Sequence, residues 1–156
     1  IGLVGSEMCI RDRYCCRTHI EMKESIKGPK VENVAVAIVQ SVVEGELSYY
    51  AYLISSRDDI MEGIIIASTG YGENTQTGET IRTSTLRHTI EVLLPNEAAK
   101  IEPIMPEVFG LSNEYWVSFW VDGVMYDKRF VFPAESILES NMSLIKPLGL
   151  PGIIIK

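Results

Sequence analysis

The sequence predicts an all-β chain, an immunoglobulin-like antiparallel β-sandwich with one or two short helical turns; an antiparallel barrel is the alternative closure. Three observations predict it. Apolar residues recur with a period of two rather than 3.6 along most of the chain. Clusters of Gly, Asn, Asp, Ser and Pro interrupt these runs at roughly ten-residue spacing, which gives about six or seven short strands. Only two short stretches have helical composition. No internal repeat, low-complexity segment or second composition regime divides the chain.

The first stretch to place is LVGSEMCIRDRYCC at residues 3–16, which carries all three cysteines. Cys9, Cys15, Cys16 and His19 offer zinc-type ligands, but tight-turn zinc pairs need two to four residues between cysteines, and here the gaps are five residues and then none. The segment also lacks the apolar run and small-residue cleavage site of a secretory signal. The string SEMCIRDR resembles the translated read-through of a sequencing adapter. Residues 1–21 are therefore expected to be a non-native or disordered leader, Met22 the native start, and 22–156 a single β domain.

From Val31 onward the text alternates. Val34, Val36 and Ile38 share one face and Ala35, Ala37 and Val39 the other, so the second face takes small residues or is itself buried. ELSYYAYLISS follows Glu44-Gly45 and completes an antiparallel hairpin. MEGIIIAST is a third strand, a short apolar run rich in β-branched residues. GYGENTQTGET reads as the longest polar connection, with Gly70 and Gly72 in a turn. In TIRTSTLRHTIEVLL, alternation puts Leu86, His88, Ile90, Val92 and Leu94 on one face and Thr83, Thr85, Arg87, Thr89 and Glu91 on the other, again a strand. AKIEPI extends the chain to Pro103, and one helical turn is expected at 107–109.

The strongest local signal is NEYWVSFWVDGVMYDKRFVF. Asp122-Gly123 fits a two-residue type I′ turn, and that turn fixes the register: Val121 opposite Val124, Phe119 opposite Tyr126, Trp116 opposite Arg129 and Trp120 opposite Met125. One face, with Tyr115, Val117, Phe119 and Val121, is core. After Pro133, residues 134–140 predict a helix of one or two turns with acidic residues at its start. The tail IKPLGLPGIIIK is expected to add an edge strand or pack on a face.

Charge excludes several functions. The net charge of −7 is unchanged without residues 1–21, because three arginines and three acidic residues leave together. With no basic run to displace phosphate counterions, nucleic acid is disfavoured as a partner, as is an anionic membrane surface. No apolar run reaches the ~20 residues that span a bilayer, so the expected compartment is the cytoplasm. No metal set and no cofactor loop stand in the remaining text, where His88 is the one histidine.

From Met22 on, KVENVAVAIVQ, STGYGE, TSTLRH, KIEPIMPEVFGLSNEYWVSFWVDG and YDKRFVFPAESI resemble a small family of uncharacterised bacterial proteins. Some of its members carry the name phenylalanyl-tRNA synthetase alpha subunit. The resemblance covers nearly the whole of the chain after the leader, and it implies no established activity.

Among candidate sites, Ser84, Arg87 and His88 lie within one strand, but Ser84 and His88 are separated by roughly 13 Å at the usual rise, too far for a nucleophile and its base. Glu102, Glu107, Glu114 and Asp127 could supply an acid and a base, yet nothing in the sequence brings two of them together. Trp116, Trp120, Met125 and Arg129 form the outer face of the 115–132 hairpin. That face is either covered by the C-terminal segment or open to another protein, since aromatics beside Arg are enriched where partners bind. The leading expectation is a non-catalytic binding or interaction module. The alternative is an aminoacyl-tRNA synthetase-related factor or small enzyme centred on Arg87 and His88.

Overall fold

In the computed structural model, which describes residues 29–156, Glu44 and Gly45 hold φ of 51° and 84°. They turn β1 (Val34–Val43) tightly into β2 (Glu46–Ser55). The pairing runs without a shift from Val34 opposite Ser55 to Val43 opposite Glu46. Expectations about the leader, its cysteines, His19 and a start at Met22 lie outside the described residues.

The chain continues through β3 (Met61–Glu73), β4 (Thr80–Arg82), β5 (Leu86–Leu93), β6 (Ala98–Pro103), β7 (Ser112–Val121), β8 (Val124–Phe132), β9 (Ser143–Ile145) and β10 (Leu150–Ile155). These ten strands of the described residues form two antiparallel sheets and no closed barrel, a β-sandwich. One sheet has the order β6-β2-β1-β10-β9; in the other, β3 pairs β7 on one side and both β4 and β5 on the other, with β8 beyond β7. The count exceeds the six or seven expected, in part because β4 and β9 are three-residue strands too short to show a period.

Period-two alternation builds the core. Val34, Val36, Ile38, Ala51 and Leu53 of the first sheet meet Ile64, Ile66, Tyr115, Val117, Phe119, Phe130 and Phe132 of the second, all buried. Full burial of such a side chain contributes about 1.5–3 kcal/mol. The other side of β1 is buried too: Ala35, Ala37 and Val39 lie with Ile54 and Ile145 in a separate cluster, flanked by Tyr50, Tyr52, Leu148 and Leu150. Ala37 and Val39 there lie opposite Tyr52 and Tyr50 of β2, which pack against the cluster.

Several expectations are corrected. The tail does not end as an edge strand: β10 sits between β1 and β9. Gly152 permits this, since a Cβ there would stand 2.5 Å from the Ile38 carbonyl oxygen and 2.9 Å from the Val39 Cα. Gly70 and Gly72 are not a turn but lie within β3, paired with Asn113 of β7 and Ile81 of β4 respectively. The helix expected at 134–140 is absent. Glu135 takes φ 61° and the Ser136 hydroxyl donates to the Pro133 carbonyl at 2.7 Å, so a single 3-10 turn forms later, at Glu139–Asn141. The other 3-10 turn, Pro106–Val108, starts one residue before the predicted position.

On β5 the inward set changes part-way. Leu93 is buried while Val92 and Leu94 are exposed, the reverse of the simple alternation. The cause is a bulge in β3 at Gly63, φ 56°, where the pairing with β7 shifts between Glu62 and Ile65. Met61 thereby faces the core together with Ile64, and Leu93 follows because it pairs with Met61.

Candidate functional site

Two features stand out, one on the outside of the β3-β7-β8 sheet and one inside the end of the sandwich. The outer feature begins with the turn. Asp122 and Gly123 adopt φ of 49° and 77°, the type I′ geometry, and the hairpin takes the register the turn dictates, from Val121 opposite Val124 to Asn113 opposite Phe132. Tyr115, Val117, Phe119 and Val121 point into the core. Trp116, Ser118 and Trp120 therefore point out.

Register lines up a row across four strands: Arg87 lies beside Ala67, Ala67 beside Trp116, and Trp116 beside Arg129. In the next rows Ile65 pairs Ser118, between the tryptophans, and Trp120 pairs Met125. Trp116 and Trp120 are each 46% exposed, Met125 48% and Ile65 49%. No described segment covers this face, so the C-terminal tail is not its lid. Contiguous exposed apolar groups rimmed by polar ones mark recognition surfaces.

Polar contacts hold the tryptophan in place. The Arg129 guanidinium carbon stands 4.6 Å from the Trp116 ring centroid, a cation–π contact worth about 0.5–1 kcal/mol at an exposed site. Arg129 also pairs with Glu114, and the Trp116 indole N–H donates to Asp127 Oδ2 at 3.2 Å. A side chain fixed before binding loses less entropy on binding.

The inner feature gathers four strands around one carboxylate. Glu102 of β6 accepts at Oε1 from the Ser68 hydroxyl of β3 at 2.8 Å and pairs with His88 Nε2 of β5 at 2.7 Å. Its side chain is only 11% exposed. Tyr115 of β7 is buried beside it, and burial first, then the charge and hydrogen bonding of Glu102, push the phenol well above its ordinary pKa. A cavity of about 270 Å³ opens here, bounded in part by Ser68, Glu102, Tyr115 and Glu114.

Arg87 and His88 thus project to opposite sides of β5: Arg87 is exposed on the row with Trp116, whereas His88 turns inward to Glu102. They share no cavity. The hydroxyl near the His88–Glu102 pair belongs to Ser68, not Ser84, and it donates to the carboxylate rather than to the imidazole. A nucleophile is activated when its own proton goes to the base; here the carboxylate stands between the two, and the arrangement ties the sheets together. Of the four carboxylates singled out from the sequence, Glu102 and Glu114 border one cavity, Glu102 bound by Ser68 and His88 and Glu114 by Arg129. Asp127 lies on the outer face with Trp116.

Ile65 and Ser68 are not marked as site residues by the sequence. The run IIIAST has no alternation that separates its faces, and the Gly63 bulge that does so is visible only in three dimensions. A lone Ser at the end of an apolar run is the one signal that Ser68 gave. Among the described residues, no three His, Cys, Asp or Glu side chains gather as a metal site, and no helix is long and apolar enough to cross a membrane. No protein-family model matches the chain, and no curated protein matches it significantly.

Proposed function

We propose that the chain is a non-catalytic binding module that docks another protein on the outer face of the 115–132 hairpin. The observation that carries this reading is the in-register row Arg87, Ala67, Trp116, Arg129, set beside half-exposed Trp120, Met125 and Ile65. Trp and Arg dominate binding energy at protein interfaces when a partner desolvates them. A sheet face with two half-exposed indoles, one of them already held by Arg129 and Asp127, suits that role better than it suits chemistry.

Capture by the wild-type chain, run against Trp116→Ala and Trp120→Ala variants of unchanged melting temperature, would isolate a partner; titration of that purified partner is the decisive step. Each substitution is expected to weaken direct binding at least tenfold, a loss of about 1.4 kcal/mol or more. Equal affinity of wild type and both variants would remove the reading. A large thermal shift with ATP plus phenylalanine would instead favour the synthetase-related alternative.

A further inference from the structure

A second hollow, of about 590 Å³, lies where the start of β1, the end of β2 and the β9–β10 turn converge. Ligand sites typically occupy about 300–1,000 Å³. Its floor is apolar: Ala35, Ile54 and Ile145 are buried side chains of the cluster outside the sandwich core. Its rim is basic, with Lys128, Lys146 and Lys156. Residues 29–156 hold nine Lys and Arg in a chain of net charge −7, so a third of them border this one hollow. Glu32 is the one acidic side chain on its described lining.

The described ion pairs are Arg57–Asp59, His88–Glu102 and Arg129–Glu114, and none engages these lysines. Lys128 reaches the hollow from the opposite sheet, its Nζ 5.2 Å from the Phe130 ring centroid. We propose that the hollow binds an anion that carries an apolar tail, a carboxylate or phosphate monoester whose headgroup meets the lysines and whose chain lies on Ala35, Ile54 and Ile145. Charge complementarity selects the head, and each buried methylene raises affinity by up to about fourfold. This site is independent of the tryptophan face, and its test does not depend on that face being an interface.

Isothermal titration with decanoate, decyl phosphate, inorganic phosphate and 1-decanol separates the contributions. Saturable binding of one tailed anion per chain is expected, with phosphate and decanol at least tenfold weaker. The stronger of decanoate and decyl phosphate identifies the headgroup. The double variant Lys128→Gln, Lys146→Gln should lose at least tenfold in affinity for that anion, with melting temperature and circular dichroism checked in parallel. Should that variant not fold, Lys146→Gln alone, at an exposed position, serves with an expected severalfold loss. Decanol binding as tightly as decanoate, unchanged affinity in a folded lysine variant, or no saturation by either anion would each overturn the proposal.

Discussion

Glu102 shows how a single residue sets local chemistry. A carboxylate only 11% exposed is tolerated because Ser68 donates to it and His88 pairs with it; without such partners its desolvation would cost several kcal/mol. Removing the Ser68 hydroxyl by Ser68→Ala is expected to destabilise by about 1.5–3 kcal/mol, the range for a hydrogen bond to a charged group, as read by urea unfolding. Tyr115 makes the same environment measurable by pH. Its folded-state pKa is raised, first by burial and then by Glu102, so the native state holds the phenolic proton more tightly than the unfolded chain, whose tyrosines titrate near about 10. This contribution is complete below about pH 10 and is lost as pH rises above it. Stability should therefore fall between about pH 10 and 11.5 in the wild type and fall less steeply in Tyr115→Phe. Equal slopes would show that Tyr115 is not held as a neutral donor.

At the scale of elements, what the sequence made legible depended on how local the determining contact is. The β7–β8 register follows from two adjacent residues with positive φ, and Asp122-Gly123 announces them in the text; every pair from Val121–Val124 to Tyr115–Phe130 falls where the turn puts it. The faces of β3 and β5 depend instead on a bulge at Gly63, and the place of β10 depends on what Gly152 meets across the sheet. The Ser68–Glu102–His88 cluster joins three strands through contacts 14 and 34 residues apart, which no periodicity encodes. Two substitutions separate the two kinds of determinant. A Cβ at Gly123 meets nothing within 4 Å, so Gly123→Val should lose only the strain of a β-branched residue at φ 77°, about 1–3 kcal/mol, while Ser118→Ala stays within about 0.5. Gly152→Ala, by contrast, drives a Cβ against the backbone of β1, and overpacking there should cost at least about 1–3 kcal/mol and unpair β10 from β1. Hydrogen exchange on the β1–β10 amides would reveal that separation; unchanged protection would show that the strands stay paired and that Gly152 is not what seats β10 beside β1.

Across the whole molecule the two outer faces are treated differently, and that difference assigns the fluorescence of the protein. The β1-β2 sheet carries a second buried cluster on its outer face, Ala35, Ala37, Val39, Ile54 and Ile145 packed with Tyr50, Tyr52 and Leu148, whereas the β3-β7-β8 sheet has both tryptophans of the chain half-exposed on its outer face. The core draws its aromatic content from Tyr115, Phe119, Phe130 and Phe132 instead. Indole emission should accordingly report the open face and say little about folding. In the native protein it is expected near the red, water-exposed limit, with ready quenching by acrylamide and only a small shift on unfolding in urea, while circular dichroism and tyrosine signals trace the cooperative transition. A protein seated on the face would shift the emission to the blue and protect it from quenching. A tailed anion in the lysine-rimmed hollow would leave it unchanged, because neither Trp116 nor Trp120 lines that site. Blue, unquenchable emission from the free native chain would mean that the face is covered after all, and the docking proposal would then lose the surface on which it rests.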